Sequence, residues 1–169
     1  MENEKQKGRI VAYIVMVVYL IFLCWLILFK LADSIDKIPS RRGINLIPFH
    51  YDQFEGSRFQ LIDILYNVFA FIPAGFFFSA LGKKKLISGI MLSFMLCFFF
   101  ETVQYIFALG SSDITDILMN TTGGVIGAGI YYVFEKLFND KGLLIGSVIG
   151  AVFEVLIIIL LIVLMFSKA

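Results

Sequence analysis

Carboxylate and amide side chains recur at helical spacing in two stretches of this sequence, and they are the residues best suited to chemistry. Glu101 and Gln104 are three residues apart, and Asp113, Asp116 and Asn120 follow at intervals of three and four. Residues at these intervals lie on one face of a helix. A carboxylate on such a face can act as a general acid or base, and two carboxylates can bind a divalent cation. The spacing therefore predicts a polar site, with Glu101 and Asp116 as the candidate catalytic residues.

The segments that must position these side chains are strongly apolar. The chain has 169 residues, 60% of them hydrophobic, and its mean hydropathy is +0.92. A net charge of +1 provides no basic surface for nucleic acid. An apolar helix of about 20 residues crosses the hydrocarbon core of a bilayer. We predict an all-α integral membrane bundle of about five transmembrane helices, at Ile10–Phe29, Ile62–Leu81, Leu86–Ala108, Ile114–Phe134 and Leu143–Phe166.

The connections between these helices are short except for residues 30–61, which are too polar to cross the membrane. Lys and Arg residues favour the cytoplasmic side of a membrane. Eight of them lie in the N-terminal tail and in the second and fourth connections, against six in the long loop, the third connection and the C-terminus. We therefore predict a multi-pass protein of the cell membrane with its N-terminus in the cytoplasm and its C-terminus outside. The long loop between helices 1 and 2 is then extracytoplasmic.

The directions of the helices bring the polar residues to one depth. Asn67, Glu101 and Asn120 all lie roughly 8–12 Å below the same membrane surface, whichever side that surface faces. A polar or ionisable group at such a depth requires polar partners or a wet cavity. We use the term polar belt for Asn67, Glu101, Gln104, Asp113, Asp116 and Asn120, and predict that it lines a pocket opening outward.

Structural roles are the alternatives for most of the polar belt. Asp113 is a typical N-cap residue, and Asp116 is an acid in the first turn of the same helix. Asn67, Gln104 and Asn120 are also suited to hydrogen bonds between helices. Glu101 has the weakest structural explanation, because the interiors of the first four predicted helices contain no Lys or Arg.

Small residues continue the polar face of the fourth predicted helix. Gly123, Gly124 and Gly127 include a GxxxG step, which lets a neighbouring helix approach closely. The fifth predicted helix carries a matching strip at Gly142, Gly146 and Gly150. His50, Cys24 and Cys97 have no metal-binding spacing, so we assign no metal site, and the sequence leaves the cofactor unknown.

Four motifs in order resemble the VanZ-like membrane proteins. They are "INLIPF" (44–49), "NVFAFIPAGF" (67–76), "FETVQ" (100–104) and "SDITDILMNTTGGVIG" (112–127). The resemblance covers about residues 44–130. We accordingly divide the chain into residues 1–43 (tail, first helix and start of the outer loop), 44–134 (a VanZ-like domain with helices 2–4) and 135–169 (a short loop and the fifth helix).

The resemblance implies a role in the cell envelope of Gram-positive bacteria, namely low-level resistance to the glycopeptide antibiotic teicoplanin. We predict a binding or protective protein whose outward-facing pocket engages membrane lipids and a lipidated ligand, either the lipoglycopeptide or a lipid-linked cell-wall precursor. The alternative is a membrane enzyme that modifies a lipid or a lipid-linked glycan with Glu101, Asp113 and Asp116. The family's characteristic positions carry over to Asn45, Pro48, Phe49, Asn67, Pro73, Gly75, Glu101, Gln104, Asp113, Asp116, Asn120 and Gly123.

One position departs from the family pattern. Many VanZ-like proteins have an arginine shortly before the first aspartate of the fourth helix, where this chain has Gly110 or Ser111. That arginine would be a counter-ion for the carboxylates. Its substitutes here are Arg41, Arg42 or Arg58 of the long loop, or a bound cation.

Overall fold

Five helices and two short strands make up the computed structural model, which describes residues 2–29, 41–49, 57–83 and 85–167. The helices are α1 (Glu2–Leu28), α2 (Ser57–Leu81), α3 (Lys85–Phe107), α4 (Ile114–Phe138) and α5 (Gly142–Ser167). The strands are β1 (Arg41–Asn45) and β2 (Leu109–Asp113), and a 3-10 turn, Asn139–Lys141, precedes α5. Each predicted helix is confirmed. Residues 30–40 and 50–56 of the long loop, His50 among them, lie outside the described residues.

Four of the helices are long and apolar enough to cross a membrane, over Gln6–Leu28, Leu61–Leu81, Lys85–Phe107 and Ile114–Phe138. The stretch Gly142–Leu156 of α5 is also apolar. The predicted all-α membrane bundle is confirmed, and the protein is a multi-pass membrane protein. Pro73 lies inside α2, where its ring removes one backbone hydrogen bond without ending the helix.

The most extensive contact between helices joins α2 and α4, which run parallel. A Cβ atom on Gly127 would lie 1.9 Å from the carbonyl oxygen of Ile72, and one on Gly123 would lie 2.2 Å from that of Val68. Gly75 is equally close to the backbone of Gly124. The GxxxG step of α4 therefore serves contact with α2, whose backbone occupies the space that side chains would fill.

The glycine strip of α5 lies against α4 at Gly142 and against α2 at Gly146 and Gly150. The nearest neighbour of Gly146 is the ring of Phe76, and Gly150 lies against Phe77. Phe76 in turn packs edge-on against Tyr131 of α4, with ring centroids 5.4 Å apart. Gly146 and Gly150 on α5 thus leave room for the rings of Phe76 and Phe77 on α2.

Strands β1 and β2 form a parallel pair at the end of the bundle where α3 ends and α4 begins. The register sets Arg42 beside Gly110 and Asn45 beside Asp113. Residues 109–113, which the sequence indicated only as a short connection, therefore pair with a segment that precedes α2. This pairing places Asn45 next to the polar belt.

Candidate functional site

The site is built around Asp113, the residue immediately before α4. Asp113 is the N-cap of this helix, as predicted, and its Oδ1 accepts a hydrogen bond from the Thr115 amide at 2.7 Å. Its Oδ2 accepts a second bond from Asn45 Nδ2 at 3.0 Å. Both carboxylate oxygens of Asp113 are thus engaged, one with its own helix and one with β1.

Glu101 on α3 contacts the same residue through the backbone. Its Oε2 accepts the Asp113 N–H at 3.0 Å, and its main-chain carbonyl accepts the Ser112 hydroxyl at 2.7 Å. Glu101 is only 5% exposed. The sequence indicated no Lys or Arg near this carboxyl group and did not indicate a backbone amide as its partner. Glu101 therefore links the end of α3 to the beginning of α4.

The more accessible part of the polar belt is a pair between α2 and α4. Asn67 Nδ2 donates to Asp116 Oδ1 at 2.5 Å, and both side chains are partly exposed. Asn67 and Asp116 are 49 positions apart in the chain. The predicted meeting of α2 and α4 polar residues at one depth is thus present in the structure.

Asn120 lies one turn deeper than Asp116 and is 2% exposed. Its Nδ2 donates to Cys97 Sγ at 3.1 Å, and the Cys97 thiol points to the carbonyl oxygen of Asp116 at 3.7 Å. The Oδ1 atom of Asn120 is buried without a partner among the described residues. An unpaired buried amide oxygen is costly, so this atom is suited to accept a hydrogen bond from water or a ligand.

The Gln104 side chain is directed towards α1. Its Nε2 donates to the main-chain carbonyl of Ile27 on α1 at 3.0 Å, and the side chain is 6% exposed. This bond closes α1 against α3. Of the six residues of the polar belt, Gln104 is the one whose geometry best fits the interhelical alternative.

Comparison with known proteins agrees with this architecture. A family model described as VanZ/LLP1 matches residues 16–135, well over half of the chain. The chain belongs to the VanZ/LLP1 family. It is also similar to Protein VanZ of Enterococcus faecium, with 35% identity over 139 residues that cover 80% of this chain and 83% of the relative. No solved structure matches it significantly.

The family match begins inside α1, whereas the motifs found in the sequence cover only about residues 44–130. The division of the chain at residues 44 and 134 stays a prediction. The VanZ-like resemblance and the multi-pass architecture are both confirmed.

Three arginines of the long loop were predicted as substitutes for the arginine expected before α4. Arg42 is the one whose side chain the structure describes. Its strand partner is Gly110, one of the two positions where that arginine would stand. The guanidinium donates to the Ile106 carbonyl at 3.0 Å and lies 5.6 Å from the centre of the Tyr105 ring. It thus covers the last turn of α3. The side chains of Arg41 and Arg58 lie outside the described residues.

The arrangement separates a supporting group from an accessible group. Asn45, Glu101 and Asp113 are held together around the start of α4, while the paired side chains of Asn67 and Asp116 are partly exposed. Within residues 2–29, 41–49, 57–83 and 85–167, no three Asp, Glu, His or Cys side chains are grouped to hold a metal ion.

Two contributors were not predicted. Thr115 is 1% exposed, and its hydroxyl accepts the Phe49 N–H at 3.0 Å. Cys97 connects Asn120 to Asp116, although the sequence indicated only that this cysteine has no metal-binding spacing. The helical interval between Cys97 and Glu101 is the one signal that pointed to a shared face.

Proposed function

We propose that the Asn67–Asp116 pair is the accessible edge of a binding site for an amphiphilic, lipid-bearing molecule in the outer leaflet. The ligand is the lipidated glycopeptide teicoplanin or a lipid-linked cell-wall precursor, and the consequence is low-level teicoplanin resistance or a related cell-envelope role. The proposal includes the orientation in which the N-terminus is cytoplasmic and the C-terminus is outside.

The observation that carries this proposal is a partly exposed carboxylate–amide pair within an apolar helical surface. Tyr66 and Phe69, close to Asn67 on α2, are 67% and 64% exposed and form part of the lipid-facing wall. A small number of polar groups in apolar surroundings suits a ligand with a polar head and a hydrocarbon tail. Teicoplanin has such a tail and vancomycin has none, and the family resemblance implies teicoplanin resistance.

The enzymatic alternative has weaker geometric support. Glu101 as a general acid or base would have to release the Asp113 N–H, and it is almost completely buried. Asp113 as a metal ligand would compete with Asn45 and with its own helix cap. Asp116 is the carboxylate best placed to meet a ligand.

The test is the susceptibility of a Gram-positive host to teicoplanin and vancomycin. The host expresses the wild type, Asp116→Asn or Asp63→Asn at matched membrane levels. Asp63 is an exposed carboxylate on α2, one turn before Asn67, and therefore provides a matched control. We expect the wild type and Asp63→Asn to raise tolerance to teicoplanin alone, and Asp116→Asn to lose that effect.

Equal tolerance in the wild type and in Asp116→Asn would contradict the assignment of the site. An unchanged response to teicoplanin with well-expressed wild-type protein would contradict the resistance role.

A further inference from the structure

Residues 42–49 combine an unusual distribution of side chains with a fixed backbone. Ile44, Leu46, Ile47 and Phe49 are 57%, 74%, 60% and 53% exposed, whereas Asn45 is directed inward to Asp113. Single apolar residues are common on a surface in water, but a contiguous group of large exposed ones marks a contact with lipid or with a partner. The four apolar side chains therefore indicate a surface that contacts an apolar environment.

The depth of the segment can be measured along α3. The Asp113 N–H reaches Glu101, and Glu101 lies six residues before the end of α3 at Phe107. Six helical residues correspond to about 9 Å. Strand β2 therefore returns along the last turns of α3 into the bundle, and β1 accompanies it in parallel register.

Helix α2 provides an independent measure of the same depth. Asp116 contacts Asn67, which is six residues into the apolar stretch Leu61–Leu81, again about 9 Å. Thr115 precedes Asp116 and accepts the Phe49 N–H. The end of the segment at Phe49 is therefore held at the level of the apolar helices.

Several backbone polar groups of the segment have partners within the protein. Non-helical backbone persists at membrane depth only where its polar groups are satisfied within the protein. Strand β1 pairs with β2, the Ile47 N–H donates to Asn45 Oδ1 at 3.1 Å, and the Phe49 N–H donates to Thr115. Pro48 has no N–H to satisfy. Phe49 adopts a left-handed backbone, with φ 57°, which is uncommon for a bulky residue and fits a position that its surroundings hold in place.

The one charged residue of the segment, Arg42, lies at its first position. Arg42 lies beside Ile106 and Gly110, at the end of α3 nearest the membrane surface. The four apolar residues follow as the strand descends towards Asp113. An arginine near the surface followed by apolar side chains below it is the arrangement expected of a chain that enters a leaflet.

We infer that residues 42–49 form a re-entrant element whose apolar side chains insert among the acyl chains of the leaflet that contains the polar belt. Asn45, Asp113 and Thr115 then anchor this element. The inference depends on the depth of the segment and holds for either orientation of the protein, so it is independent of the proposed ligand.

Tryptophan fluorescence of the full-length protein in lipid vesicles tests this inference. The chain has a single tryptophan, Trp25, so Leu46→Trp and Ile47→Trp are each made in a Trp25→Phe background. Lys83→Trp in the same background is the control, since Lys83 is exposed in the turn between α2 and α3. The quenchers are a phospholipid brominated near the top of its acyl chains, and acrylamide present on both sides of the bilayer.

We expect Leu46→Trp and Ile47→Trp to emit at shorter wavelength than Lys83→Trp. They should also be quenched more strongly by the brominated lipid and more weakly by acrylamide. Emission and quenching of both variants equal to those of Lys83→Trp would overturn the inference.

Discussion

Asp113 joins three parts of the molecule at one residue. Its Oδ1 caps α4, its Oδ2 holds Asn45 of β1, and its main-chain N–H binds Glu101 of α3. A helix cap and a buried hydrogen bond each contribute about 1 kcal/mol to stability. The first acid of the "DITD" sequence is thus mainly a structural residue, whereas Asp116 is partly exposed and bonded to Asn67.

Replacing Asp113 should separate these contributions. Asp113→Ala removes both side-chain bonds and should lower the free energy of unfolding by about 1–2 kcal/mol. Asp113→Asn keeps an oxygen for the cap and should cost less. Unfolding of the purified protein in detergent measures both variants. Equal losses in the two variants would contradict the capping role.

The sequence predicted which polar residues share a depth and did not predict their partners. Helical spacing placed Asp116 and Asn120 on one face of the fourth helix, and the directions of the helices placed Asn67 at the same depth. Glu101 differs because its partner is a backbone amide, which every residue but proline possesses. No side-chain pattern identifies such a partner.

At the scale of elements, the contact between α2 and α4 rests on glycines. Gly123 and Gly127 lie against α2 carbonyl groups, at distances that leave no room for a side chain. The polar pair Asn67–Asp116 lies directly above this contact, so the close approach of the two backbones determines where the pair meets.

Alanine substitutions in α4 test this contact. Gly127→Ala should destabilise the protein by about 1–3 kcal/mol, since its Cβ would overlap the Ile72 carbonyl. Gly129→Ala is the matched control, because nothing lies within 4 Å of its added Cβ. The control should be neutral or more stable by up to about 1 kcal/mol, because alanine favours the helix. Thermal unfolding of both variants measures this difference in stability. Similar losses of stability in the two variants would show that the contact between α2 and α4 is not close.

The helices were predictable from hydropathy and the strands were not. The fourth helix begins at Ile114, as predicted. The other helices begin within a few residues of their predicted starts, or earlier because they include polar residues that precede the apolar stretch. Strands β1 and β2 have the sequences RRGIN and LGSSD, which have few of the β-branched and aromatic residues typical of strands. Their pairing joins residues 68 positions apart, beyond the reach of any local pattern.

At the scale of the whole molecule, the two ends of the bundle differ in chemistry. One end holds the polar belt and the β1–β2 pair. The other end carries Lys83, Lys136 and the ion pair between Lys85 and Glu135. Over the whole sequence, eight Lys and Arg residues lie on the side opposite the belt and six on the belt side, so the polar belt is expected on the outer side.

Thiol labelling of intact cells tests most directly whether the polar belt opens to the outside, as we propose. Ser111→Cys, exposed in β2, marks the belt end, and Lys83→Cys marks the opposite end. Both are made in a Cys24→Ser, Cys97→Ser background, in which a serine oxygen remains beside Asn120. We predict that an impermeant maleimide labels Ser111→Cys in intact cells and labels Lys83→Cys only after permeabilisation. The reverse pattern would place the belt in the cytoplasmic leaflet and contradict an outward-facing site.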